Sequence, residues 1–199
     1  MTRNVTPRLA WLSAVFIALA VAAMAPPRAM AQERTSSADI LDAVVRLESR
    51  IPRDAATASG LGTHRSGHGI VIDDNGLILT IGYLILEATE IELHANDGRT
   101  VGAEYVAYDY DTGFGLVRAL TPLGIKPLRM GTSGELAERD RVLVVGSGGA
   151  DKVLGAIVVE RRVFTGFWEY MVDNAIFTSP PHDDWGGAAL VNDRGELVG

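Results

Sequence analysis

The sequence predicts an all-β protein, a sandwich or a barrel, on three observations. Short apolar segments recur about every 8 to 12 residues, turn residues separate them, and no long amphipathic helix follows Ser49. The stretch from Thr121 to Leu128, containing Pro122 and Pro127, is the best internal boundary, with one β-unit expected before it and another after it.

Each element has its own signal. Ser36-Ser37-Ala38-Asp39 is an S-x-x-D helix start, followed by Ile40, Leu41, Val44, Val45 and Leu47 at near-helical spacing, which predicts a short helix or a helix running into a strand. Pro52 ends it, and Ala55 to Gly62 reads as a loop. Ile70-Val71-Ile72, then Asp73-Asp74-Asn75-Gly76, then Leu77-Ile78-Leu79-Thr80 is strand, turn, strand, with Asn-Gly providing the positive φ of a tight hairpin. Ile91 to His94 alternates, Asn96-Asp97-Gly98 turns, and Val101 to Tyr108 continues as a strand. Leu116-Val117, Arg141 to Val145, Val153 to Val159 and Ala189 to Val191 complete the set, separated by turns such as Gly131-Thr132-Ser133-Gly134 and Asn192-Asp193-Arg194-Gly195.

The N-terminus belongs to a different class of segment. Arg3 and Arg8 precede an apolar run from Leu9 to Ala25, and Ala29-Met30-Ala31 offers a small-x-small cleavage site, so residues 1–31 read as a secretory signal peptide. An uncleaved anchor is the competing reading, because the run is near the lower limit for spanning a bilayer. The chain has 199 residues, with 18 basic and 25 acidic; removing Arg3, Arg8 and Arg28 leaves a net charge of about −10. That disfavours nucleic acid and anionic membrane surfaces as partners. With no cysteine, an exported domain rests on its core and not on disulfides, which suits a bacterial periplasm, with extracellular release the lesser option.

From residue 66 the order of motifs becomes specific. Gly67-His68-Gly69-Ile70-Val71-Ile72-Asp73-Asp74-Asn75-Gly76-Leu77-Ile78-Leu79-Thr80, then Asp97-Gly98-Arg99, Tyr108-Asp109-Tyr110-Asp111-Thr112, Leu128-Arg129-Met130-Gly131-Thr132-Ser133 and Gly186-Gly187-Ala188-Ala189-Leu190-Val191 resemble five stations of the trypsin-like serine proteases of the HtrA/Deg type, in the same order. The resemblance implies two six-stranded antiparallel β-barrels with a cleft between them. It divides the chain into the signal peptide, a helix or loop lead-in at 32–65, a first barrel at 66–121 and a second at 122–199, the last expected to be incomplete.

Acyl transfer in that family needs a serine, a histidine, an aspartate and backbone N–H groups at the oxyanion. At the histidine station, Thr80-Ile81-Gly82-Tyr83-Leu84, this chain has Tyr83, whose phenol with a pKa near 10 is a poor base at neutral pH. After Thr112, where the aspartate is expected, stands Gly113, with Asp109 and Asp111 flanking it. A gapless alignment of Phe177 to Leu190 puts Gly186 at the serine and Trp185 before it, and a one-residue shift puts Trp185 at the serine instead. Asp184 replaces a glycine of the oxyanion loop, where a carboxylate repels the charge it should help hold. The triad-equivalent positions Tyr83, Gly113 and Gly186 are therefore read as non-catalytic.

Other features have bland readings beside sharp ones. Ser179, His182, Asp183 and Asp184 allow a relocated Ser-His-Asp set to be imagined, though neighbours in a short loop rarely converge on one atom. His182-Asp183-Asp184, joined by His64 or His68, holds zinc-type ligands without ligand spacing and reads as a polar surface loop, so no metal or cofactor is expected. Val142 to Gly149 lacks the dinucleotide fingerprint and reads as a loop between strands. Phe167-Trp168-Glu169-Tyr170 reads first as packing. The functional alternative has Tyr83, Trp168, Tyr170, His182, Asp184 and Trp185 lining the old cleft and holding a peptide or partner protein without cutting it. An active hydrolase with a non-standard constellation and a purely structural protein are the alternatives.

Overall fold

The computed structural model describes residues 35–166 and 171–199; the signal-peptide expectation and the aromatic cluster with Trp168 and Tyr170 lie outside the described residues. Among the described residues no helix is long and apolar enough to cross a membrane.

Helix α1 (Ser37–Ala43) begins where the S-x-x-D signal places it. The Ser36 hydroxyl accepts from Asp39 N, and the Asp39 carboxylate accepts from Ser36 N, so two orphan donors of the first turn are satisfied reciprocally. Val44 already has extended backbone, and the chain passes directly into β1 (Val44–Arg50). A short helix α2 (Ala58–Leu61) occupies part of the stretch expected to be loop. What organises it is remote in sequence: the Glu87 carboxylate accepts from Ala56 N at 3.0 Å and Thr57 N at 2.8 Å, taking up donors ahead of the first turn.

Strands β2 (His64–Val71), β3 (Leu77–Ile81), β4 (Glu90–His94), β5 (Thr100–Tyr108) and β6 (Phe114–Ala119) follow, and with β1 they close a barrel in the order β1-β2-β3-β6-β5-β4. The lead-in segment thus supplies a strand of the barrel. The turn between β2 and β3 has positive φ at Gly76 alone (76°), and the Asp73 carboxylate accepts from Asn75 N and Leu77 N. It is an Asp-organised loop, where the Asn-Gly pair had been read as a tight hairpin. Val45, Leu47, Val71, Ile78, Leu84, Leu93 and Val117 are fully or almost fully buried inside the barrel. Burial of such side chains contributes about 1.5–3 kcal/mol each and is the main source of stability in a chain without disulfides.

The second unit comprises β7 (Arg141–Val145), β8 (Val153–Thr165), β9 (Met171–Ser179) and β10 (Ala189–Val191), a four-stranded sheet in the order β10-β7-β8-β9, where the resemblance implies a six-stranded barrel. A second core joins it to the barrel: Ile40, Val44, Ile70, Leu128, Val145, Val191 and Leu197 pack together. The cleft lies on this seam.

Candidate functional site

Two glycine-rich segments bring together Tyr83, Gly113 and Gly186, the residues expected at the triad stations. After β3 the chain makes a 3₁₀ turn at Gly82–Leu84, and Gly82 N donates to Gly113 O at 2.7 Å, so the turn carrying Tyr83 is tied to the turn carrying Gly113. A side chain at 82 is excluded, since its Cβ would lie 1.9 Å from the Tyr108 ring. Buried Arg65 fixes the same turn from beneath, donating to Tyr83 O at 2.6 Å, Leu86 O at 3.0 Å and Thr57 Oγ1 at 2.7 Å. Burial pushes the Arg65 guanidinium below its ordinary range, partly countered by the Glu87 charge.

The loop 185–188 is docked on β2. His68 N donates to Gly186 O at 2.8 Å, the Thr80 hydroxyl donates to His68 O at 2.7 Å, and Ala188 N donates to Trp185 O at 3.0 Å. Gly187 has φ +77°, and a Cβ there would meet His68 O at 2.3 Å, so two independent constraints require glycine. Gly186 faces the phenol: a Cβ at 186 would lie 2.6 Å from Tyr83 Oη. Residues from the histidine and serine stations therefore stand against each other, but as a phenol and a glycine.

Of the carboxylates flanking Gly113, that of Asp109 is engaged locally. Asp109 is consumed by its own turn, accepting from Thr112 Oγ1 and Asp111 N, bonds that lower its pKa. The imagined Ser179–His182–Asp set is not assembled among the described residues. Ser179 ends β9 opposite Ile157, while His182 accepts from Asp184 N at 3.0 Å and turns its other nitrogen to Lys152 O at 3.4 Å. Backbone partners, one local and one in the turn before β8, engage both imidazole nitrogens.

A different constellation is present that the sequence did not disclose. His68, 2% exposed, has Nδ1 at 2.9 Å from Ser147 Oγ and accepts from Ser147 N at 3.0 Å. Because a backbone N–H can only donate, Nδ1 carries the lone pair and Nε2 the hydrogen, which points to Asp184 O at 3.0 Å and Oδ1 at 3.4 Å. Ser147, His68 and Asp184 thus form a chain of contacts joining β2, the loop after β7 and the loop before Gly186. The only sequence signal was the imidazole between Gly67 and Gly69, where the resembled family has serine. Gly67 admits the Gly186 carbonyl, which would lie 2.5 Å from a Cβ at 67.

Beside Tyr83 opens a cleft of about 600 Å³ lined chiefly by apolar groups, among them Leu61, Ile81, Phe114, Phe164, Ile176 and Trp185. Phe114 and Leu79 also line an adjoining cavity of about 460 Å³ with Met130, Leu197 and Val198. Of the residues expected in the cleft, Tyr83 and Trp185 line it, and Trp185 is 63% exposed. His182 and Asp184 lie outside its lining, the latter turned to His68.

Comparison with known proteins agrees with this architecture. The trypsin-like peptidase domain family matches residues 67–199. The periplasmic serine endoprotease DegP of Escherichia coli strain K12 is 28% identical over 136 residues, covering 67% of this chain and 29% of that protein. A probable periplasmic serine protease, do/HhoA-like, of Haemophilus influenzae is 29% identical over 137 residues, with the same coverage of 67% and 29%. The chain therefore spans about three tenths of the length of these relatives. The solved HtrA-type protease AlgW with tripeptide superposes with a TM-score of 0.66 at 22% identity, covering 82% of this chain and 52% of that one. The decapeptide complex of the same protease gives 0.63 at 19% identity, covering 83% and 58%.

Proposed function

Since the chain belongs to the trypsin-like peptidase family, of the HtrA type, we propose that it is an exported, non-cleaving member that binds an extended, apolar-rich peptide or unfolded segment in the cleft beside Tyr83. One observation carries this reading: Tyr83 Oη occupies the space that a side chain at position 186 would need, 2.6 Å from its Cβ. A cleft of this kind holds neither a nucleophile nor a base at the triad-equivalent positions, and Gly113 supplies no carboxylate.

What it retains is concave apolar surface. One well-buried peptide side chain contributes about 1.5–3 kcal/mol, so useful affinity requires two or more to be seated at once. Exposed Trp185, at the mouth, is suited to cover such a residue. The solved neighbours are described with a tripeptide and a decapeptide, which supports a peptide as the ligand class. The N-terminal segment and the periplasmic relatives support export.

The test is titration of apolar peptides into the mature chain, followed by tryptophan fluorescence. We expect saturable binding that weakens about tenfold or more in Trp185→Ala, a loss of about 1.4 kcal/mol or more. Unchanged affinity for every peptide in Trp185→Ala removes the cleft-binding reading.

A second reading, an active hydrolase, is favoured by the Ser147–His68–Asp184 chain, in which imidazole joins a hydroxyl to a carboxylate. Two observations weigh against it. Ser147 is only 9% exposed, and its own N–H already occupies the nitrogen that would take its proton.

A further inference from the structure

On the outer face of the barrel, β1 and β4 meet in register with Arg50 opposite Glu90, Glu48 opposite Glu92 and Arg46 opposite His94. The first rung is complementary, with Arg50 Nε 3.2 Å from Glu90. The middle rung sets two carboxylates directly opposite each other, an arrangement unfavourable in a sheet, and the Arg46 cation pairs with Glu48. His94 lies two residues beyond Glu92 and shares its face of β4. The donor atoms of Glu48, Glu92 and His94 all lie within 4.8 Å of one another.

His94 provides an observation independent of the carboxylates. Its ring is partly exposed, yet Nε2 itself is shielded from solvent and has no hydrogen-bond partner. The nearest carboxylate oxygen, Glu48 Oε2, is 3.9 Å away, beyond hydrogen-bond reach. The other ring nitrogen, Nδ1, sits 3.0 Å from Thr100 Oγ1, its cross-strand neighbour. With hydrogen on Nδ1 donated to that hydroxyl, Nε2 is left with its lone pair and lies within 4.8 Å of carboxylate oxygens of Glu48 and Glu92, and an outer hydrogen bond of this kind orients a metal-binding imidazole. Glu48 is divided in the same way: Arg46 holds Oε1 at 2.7 Å and leaves Oε2 facing His94.

We propose that Glu48, Glu92 and His94 form a surface site for a first-row transition dication, zinc above all, on the seam where β1 closes the barrel against β4. One imidazole nitrogen and two carboxylate oxygens are a donor set suited to zinc, with a fourth position left to water. Calcium, which takes six to eight oxygens, does not suit it. Bringing the donors to bonding distances of about 2.0–2.2 Å needs movements on the order of 1 Å, which exposed Glu92 is free to make. A bound ion satisfies the shielded nitrogen, neutralises the like-charged rung and cross-links the first strand to the fourth. The inference is independent of the peptide-binding reading.

The experiment is calorimetric titration of zinc chloride into the metal-stripped mature chain in a non-chelating buffer, with cobalt(II) absorption and thermal melting as parallel readouts. One equivalent should bind, cobalt should give a visible ligand-field band, and saturating zinc should raise the melting temperature by several degrees, reversed by chelator. Glu92→Gln and His94→Gln, both conservative changes on the outer face, should each weaken binding about tenfold or more, and Thr100→Val about tenfold through the orienting bond. Circular dichroism reports whether each variant keeps the wild-type fold. Absence of binding up to about 1 mM zinc overturns the proposal. So does undiminished binding in both Glu92→Gln and His94→Gln, which would place the ion elsewhere.

Discussion

Tyr83 and Gly186 make the proposed non-cleaving role a matter of volume as well as of side-chain chemistry. Restoring serine at 186 alone adds a Cβ 2.6 Å from Tyr83 Oη, closer than any carbon tolerates, so the ring or the loop must move. Gly186→Ser is expected to be destabilised by on the order of 1 kcal/mol and to remain inactive, because a phenol still stands where the base would be. Combining it with Tyr83→Ala should recover part of that loss. Urea unfolding of the single and double variants measures the coupling, expected at about 0.5–3 kcal/mol; strict additivity would mean that the two residues do not compete for space.

At the scale of elements, two carboxylates hold turns together and contribute to the acid dependence of stability. Glu87 accepts from Thr57 Oγ1, Thr57 N and Ala56 N, which keep its pKa below the ordinary carboxylate range and bind the chain after the Tyr83 turn to the start of α2. Glu196 is held down first by the Asn192 amide and then by Arg194, within the turn after β10. A depressed folded-state pKa gives stability that is complete above the unfolded value, near 4.3, and is lost as pH falls through the folded value. Melting temperature should therefore hold from pH 6 to about 5 and drop below about 4. In Glu87→Gln and Glu196→Gln that drop should be shallower and the pH 6 value lower; an unchanged acid slope in both would refute the assignment.

The same scale shows what the sequence could disclose. The Ser36–Asp39 box and the strand alternation rest on local spacing, so α1 and most of the barrel strands are legible in the sequence, while the placing of Tyr83 and Gly186 at one site is what the family resemblance implies. Helix α2 was not, because its organising carboxylate is Glu87, some 30 residues away. The contact of His68 with Ser147 spans 79 positions and that with Asp184 spans 116, and the facing of Glu48 and Glu92 depends on a strand register that periodicity does not encode. His182, expected in the cleft, stands outside its lining, with Asp184 N two residues away on one ring nitrogen and Lys152 O, 30 residues away, near the other.

Among the described residues, the closed barrel, the four-stranded sheet and the core between them place the apolar cleft and its adjoining cavity at their seam, while the outer barrel face carries the charged rungs. Export should be directly visible. When the full chain is expressed in a Gram-negative host, we expect a periplasmic protein whose N-terminus, read by mass spectrometry, is Gln32; retention of Met1 in the membrane fraction would favour the anchor reading.

The central claim is that the fold binds without cutting. The most direct measurement is incubation of the mature chain with casein and with a fluorophosphonate probe, followed by mass spectrometry for new peptide termini and for labelled serine. Neither is expected, with wild type, Ser147→Ala and Ser179→Ala indistinguishable. New termini together with a labelled serine, both abolished by Ser147→Ala, would contradict it and make the buried His68 contact a catalytic pair.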